Sequence, residues 1–295
     1  MLEQFRIPPA LAALMLITAS IPAHAGTIRT FVSTIGNDIN TSGNCSPQAP
    51  CRTLDAALSV TTPGGEIVVL TSNGYDYELR YITQPVTIIA VGVDASIMTE
   101  TGITINTTGD VTLVGLKLDG KGTVFDGITV QQVGHLRLYN ILIENFEIGV
   151  DFGVKGSLEI SGSSLNANRQ AGLFVSGPAS VSVNNTSFSN SDAGVEVAAG
   201  RATVADSSAE YNGHGFLASG GTLTLVNDRA IFNTTSGLET DQNAALYFAN
   251  CLIANNTMAY NVASGSTMAG TNPGSSLITP GQSTTGTLST ASALH

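Results

Sequence analysis

The sequence predicts an all-β chain wound as a single-stranded, right-handed parallel β-helix of about nine rungs, ~22 residues each, closed N-terminally by a short capping helix. Three observations carry that expectation. A glycine returns at Gly102, Gly127, Gly149, Gly172, Gly194, Gly215 and Gly237, with Ala259 in the last slot, at spacings of 25, 22, 23, 22, 21, 22 and 22 residues. An asparagine returns almost as regularly, at Asn145, Asn168, Asn190, Asn212, Asn233 and Asn255. A fixed period of this size marks a solenoid. The third observation is composition: 11% charged residues, 32 glycines and no tryptophan in 295 residues suit strands and turns better than helices.

Residues 1–25 read as a signal peptide. Arg6 supplies the basic start, "LAALMLITASI" the apolar stretch, and Ala23-His24-Ala25 the small-x-small cleavage pattern. Cleavage after Ala25 would leave a secreted or periplasmic protein starting at Gly26, with no transmembrane segment, since the apolar run is too short to span a bilayer. Residues 26–65 are expected to form the cap. There "CSPQAPC" suggests a disulfide between Cys45 and Cys51, leaving Cys251 as a buried small apolar residue. "RTLDAALSV" reads as a helix with Thr53 as N-cap and Leu54 and Leu58 on one face. A solenoid's open end exposes strand edges, so a capping element belongs there.

Residues 66–263 are assigned to the coil and 264–295, rich in Ser, Thr and Gly, to a closing turn and tail. "GGEIVVL" and "QPVTIIAVGV" look like two early rungs, and each later unit holds short alternating runs such as "ITV", "LRL" and "ILI". Leucine-rich repeats share the period but need a leucine consensus that is missing, so three parallel sheets fit better. Ile103/Ile105, Ile128/Val130, Val150/Phe152, Leu173/Val175 and Val195/Val197 are expected to point inward. The recurring Gly and Asn are expected at turns that need left-handed backbone, with Asn side chains hydrogen-bonded up the stack.

The net charge is −11, and it stays there after residues 1–25 because Glu3 and Arg6 cancel. That surface repels nucleic acid, and also polyanionic polysaccharides unless a cation bridges them. No His/Cys cluster has zinc spacing.

The repeats "NRQAGLFV" and "NSDAGVEV", the cap stretch "RTFVSTIGNDINTSGNCSPQAPCRTLDAAL" and "TPGGEIVVL" resemble the exported right-handed β-helix proteins of the pectate-lyase-like (pectin-lyase-like) superfamily, over roughly Thr27 to Ala269. The resemblance implies the fold. Its members include pectate lyases, polygalacturonases, alginate epimerases and phage tailspikes, whose motifs this chain does not carry. Asp126 and Gly127 keep half of a polygalacturonase Asn-Thr-Asp-Gly, and Gly213-His214-Gly215 comes two rungs too late for the Gly-His-Gly. Asp-Pro-His and Arg-Ile-Lys are absent.

Candidate site residues come from stacking the repeats. The outward middle positions after each glycine are Thr104, Thr129, Asp151, Phe174, Glu196, Leu217, Glu239 and Asn261, with Glu147, Arg169, Asp192 and His214 just before that strand. Asp151 and Glu196 lie two rungs apart, roughly 9–10 Å, a spacing open to an inverting acid–base pair. As an enzyme, a polysaccharide lyase or glycoside hydrolase, the chain would use Asp151 and Glu196 as acid and base and Arg169 to hold a sugar carboxylate or hydroxyl. As a binding protein it would use Phe174 as a stacking platform and Glu147, Asp192, His214 and Glu239 around it. A solvated acidic face is the third alternative. With no family motif intact, the expected function is a monomeric protein binding a polysaccharide or cell-envelope glycan. No cofactor is required; Ca2+ is an option at Asp119 and Asp126 in the long turn "LDGKGTVFDG". The column Asn140, Ser163, Asn185, Ser207, Asp228 and Asn250 is assigned to turn hydrogen bonding.

Overall fold

The computed structural model describes residues 26–75, 79–241, 243–270, 276–278 and 283–290. The signal-peptide assignment falls outside them. Alternating runs of three to five residues pair only in parallel and build three sheets. Sheet one has 12 strands, from Thr27–Val32 to Ser289–Thr290. Sheet two has 10, from Asn73–Gly74 to Leu277–Ile278. Sheet three also has 10, from Tyr81–Ile82 to Ser283–Thr285. One rung runs Ser157–Ser161, Ser164–Asn166, Ala171–Val175, and the next stacks on it residue for residue. The result is a β-solenoid of about nine turns with rungs of ~22 residues and little helix.

Every second side chain faces the axis, so apolar residues stack into continuous columns. Ile103, Ile128, Val150, Leu173, Val195, Phe216 and Leu238 are register partners in turn, each buried. A single rung could not bury them; the stack does.

The asparagines take the left-handed turns and the stacked hydrogen bonds expected of them, while most of the glycines recur for another reason. Gly149, Gly172, Gly194 and Gly215 have ordinary backbone, and what excludes a side chain is distance. A Cβ on each would meet the carbonyl oxygen of the next column glycine at 2.5, 2.7, 2.6 and 2.6 Å. The asparagine series splits into two adjacent columns. Asn145, Asn190 and Asn255 take left-handed φ of 64, 57 and 56° at the corner between sheets two and three. Asn168, Asn212 and Asn233 follow a left-handed corner residue by one and are buried; Asn168 Oδ1 accepts from Phe146 N (3.2 Å), while Asn212 and Asn233 form a ladder with Asn256. Asn212 Oδ1 accepts from Ser191 N (3.0 Å), while Asn212 N donates to Asn233 Oδ1 (3.0 Å). Asn233 N donates in turn to Asn256 Oδ1 (2.9 Å). The ladder satisfies amides at a corner where the sheets cannot.

The cap forms as expected. Thr53 Oγ1 accepts from Ala56 N (3.0 Å) at the start of the helix Leu54–Val60, which buries Leu54, Ala57 and Leu58. Cys45 and Cys51 are joined, with Cα atoms 4.9 Å apart, and Cys251 is free and buried. Burial pushes the Cys251 thiol up to about 12, so it is not a nucleophile. The disulfide loop lies along the first strand: Phe31 N donates to Cys45 O and Ser33 N to Cys51 O, both at 2.9 Å. That covers the open edge of sheet one. Beyond residue 263, Thr267–Gly270 continues sheet one and Leu277–Ile278 continues sheet two.

Candidate functional site

The outward column of sheet three stacks in the expected register. Thr129, Asp151, Phe174, Glu196, Leu217, Glu239 and Asn261 are successive partners, one per rung. Their neighbours divide the face into two clusters.

Upstream, the carboxyls of Asp126, Asp151 and Glu147 crowd together, and among the described residues neither aspartate has a cation paired with it. Burial pushes Asp126 above its ordinary value, and the negative charges of Asp151 and then Glu147 add to the rise. Burial also raises Asp151, with the Ser176 hydroxyl working the other way. Asp151 Oδ1 is buried and takes no hydrogen bond among the described residues. Arg169, assigned to a substrate group, is instead paired with Glu147. The long turn carries Val124 and Phe125, 64% and 53% exposed, beside this cluster. Phe125 O accepts from Glu147 N (2.9 Å), which ties the turn to the face. Phe125 was not among the expected site residues, and Asp126 was offered only for calcium and not for this face; the signal was there in the turn's extra length.

Downstream, the acids are partnered. His214 Nδ1 meets Glu239 Oε2 at 2.7 Å and Ser236 Oγ at 3.0 Å. Ser236 donates to the same Glu239 oxygen (2.6 Å) and Asn261 Nδ2 to the other (2.9 Å). The Glu239 hydrogen bond raises His214 despite its burial, with the charges of Glu239, Asp192 and Glu196 adding to it. Burial alone would raise Glu239, but hydrogen bonds from His214 and Ser236 more than offset it and leave the carboxyl below its usual range. A carboxylate on Nδ1 fixes Nδ1–H and leaves Nε2 as the free ring nitrogen. Glu196 accepts from Ser219 Oγ at 2.7 Å.

His214 does not share the column of Arg169 and Asp192; it occupies the first strand position, where Ala171, Ala193 and Ser236 sit in the other rungs. The residues offered for calcium part company. Asp119 takes hydrogen bonds from Asn145 (2.9 Å) and the Lys121 amide (3.0 Å), and its carboxyl drops in spite of burial, whereas Asp126 faces Asp151. Among the described residues no three His, Cys, Asp or Glu side chains converge to hold a metal ion.

Residues 101–273 match the family model described as "Right handed beta helix region". The chain belongs to this family. Two solved structures share the right-handed beta helix fold. Pectate lyase Pel9A aligns with a TM-score of 0.68 at 18% identity, covering 90% of this chain and 78% of the lyase. A rhamnogalacturonan lyase aligns at 0.59 and 12% identity, covering 90% of this chain and 85% of its own. Identities this low carry the fold and not the reaction. No curated protein matches the chain. No helix among the described residues is long and apolar enough to cross a membrane.

Proposed function

We propose that the outward face of sheet three binds an extracellular polysaccharide or cell-envelope glycan. One observation carries this: a column of side chains at one-rung intervals, about 4.8 Å, hydrogen-bonding except at Phe174 and Leu217 and flanked by exposed Phe125. Carboxylates accept from sugar hydroxyls, and exposed Phe125, with the outer part of Phe174, which packs against Ile148, Ala171 and Ala193, supplies apolar surface to a pyranose. The acidity of the face favours a neutral glycan over a polyuronate. Asp151, Glu196, Asp192 and Glu147 line the path, with Arg169 restrained by Glu147 at its edge.

The disulfide, of a kind that persists in oxidising surroundings, supports a compartment outside the cytosol. Together with the leader-like residues 1–25, it supports an exported protein, secreted or periplasmic, whose mature form begins at Gly26.

A second reading, a carbohydrate-active enzyme of lyase or hydrolase type, is favoured by His214. Its Nδ1 is held by Glu239, as a general base oriented by a carboxylate would be. One experiment separates the two. The exported protein is titrated with glucans, mannans, pectin and alginate while unsaturated and reducing-end products are followed. Binding without products supports the first reading, and products lost in His214→Ala support the second. Glu196→Gln keeps the Ser219 hydrogen bond and removes the charge, so binding weakened about three- to tenfold is expected. Unchanged affinity in that variant would mean the face is only solvated.

A further inference from the structure

A second groove lies away from sheet three, at the corner between sheets one and two, with a volume of about 390 Å3. That size falls within the range of small-molecule sites, about 300–1,000 Å3. One wall is Asn185, Asp206 and Asn227, successive left-handed corner residues with φ of 47, 51 and 62°. The other wall is Ser187, Ser208 and Arg229, register partners that open three successive strands of sheet two. The floor, which includes Thr186 and Ser207, is spent on the fold: Thr186 N donates to Ser207 Oγ (3.1 Å), and Ser207 Oγ donates to Ala205 O (2.7 Å).

The walls are not all spent. Among the described residues the Asn185 amide and the Ser208 hydroxyl have no hydrogen-bond partner. Asn227 uses its amide nitrogen on Asp206 Oδ1 (3.1 Å), leaving its own oxygen and the second Asp206 oxygen outward. The left-handed backbone does not require these side chains, since Gly162 fills the same corner one rung earlier with φ 62°. Arg229 is turned to Glu210 at 3.4 Å, so the groove offers no free cation to an anionic ligand. No large apolar side chain lines it, which removes the basis for holding a peptide or lipid. What remains is a strip of amide, hydroxyl and carboxylate groups repeating once per rung, about 4.8 Å, over three rungs. We infer that this corner is a binding groove for a neutral saccharide lying along the solenoid axis, separate from the sheet-three face.

The test uses calorimetric titration with tetrasaccharides of glucose, mannose and N-acetylglucosamine, and with tetragalacturonate as the anionic control. Asn185→Gly preserves the left-handed corner while removing the amide, and Ser208→Ala removes the free hydroxyl. The double variant should keep the wild-type circular dichroism and unfolding midpoint yet bind a neutral tetrasaccharide at least about tenfold more weakly, the loss expected for two hydrogen bonds. The titrations are run in the Glu196→Gln background as well as in the wild type, so that saccharide held in this groove is read apart from any held on the sheet-three face. A groove component that survives Glu196→Gln and is lost in the double variant keeps failure here and failure of the sheet-three proposal distinguishable. The inference is overturned if no neutral tetrasaccharide binds, if the double variant binds as the wild type does, if tetragalacturonate binds equally well, or if Glu196→Gln alone abolishes the binding.

Discussion

Glu239, half-buried, and Asp228, fully buried, are both acids stacked in regular columns, and they end in opposite electrostatic states. Glu239, on the sheet-three face, has His214, Ser236 and Asn261 on its oxygens and is held below the usual carboxyl range. Asp228, at the corner of sheets one and two, accepts from Ser207 N (2.8 Å) and Val226 N (2.9 Å) and has no cation. Burial carries its pKa up to about 7, against those two amide hydrogen bonds. Backbone amides satisfy hydrogen-bonding capacity; they do not replace solvent around a charge as a counter-ion does. Asp126 and Asp151 are also half-buried and raised, Asp126 with the charge of Asp151 as an unfavourable neighbour.

The largest expected effect comes from Asp228→Ser, which restores the hydroxyl found at Ser163 and Ser207 in the same column. A carboxyl whose pKa is raised on folding contributes fully below its unfolded value, 3.8, and that contribution is lost as pH rises toward about 7. The shift corresponds to at most about 4 kcal/mol. Urea unfolding should show the variant gaining on the wild type at pH 8 and showing no such gain at pH 4. A gain independent of pH would break the contrast.

His214→Ala tests the partnered side. It leaves Glu239 charged and without its cation, a loss of about 1–3 kcal/mol. His214 is raised from 6.5, so its contribution is present below that value and fades as pH climbs through the folded pKa; Glu239 is lowered from 4.5, so its own is present above that value and fades in acid. The loss should therefore be greatest between about 4.5 and 6.5 and smaller at pH 9, measured by unfolding across that range. A loss that does not change with pH would assign His214 a packing role only.

Asp126→Asn is the smallest, about 0.5–1 kcal/mol. It removes one of two repelling acids, so the variant should be the more stable at pH 7, the two proteins should converge near pH 3, and Asp151 should titrate lower by side-chain NMR. An unmoved Asp151 would show that burial alone raises it.

Much of the coil was legible in the chain because stacking imposes a period on the sequence. The inward Ile, Val, Leu and Phe columns and the outward order Asp151, Phe174, Glu196, Leu217, Glu239 follow once the repeats are aligned. The cap helix and the Cys45–Cys51 pair were legible because both are local, the one from an N-cap followed by helical spacing and the other from a short loop. The causes behind the period were less so. The glycines recur because carbonyl oxygens of the neighbouring rung leave no room for a Cβ, and the asparagines serve two columns one residue apart. Both facts depend on packing between rungs.

What the sequence determined by itself was periodic: the solenoid, its inward columns and the register of its outward faces, since each repeats one rung's local pattern against the next. What only the tertiary structure decided was pairwise. Arg169 goes to Glu147, His214 to Glu239, Asp126 against Asp151, and Asp119 away from all of them. Those choices turn on distances of a few ångströms between side chains about 20 residues or more apart, and on how much water each carboxyl keeps. A repeat fixes which residues share a face, while burial and counter-charge fix what each one does there.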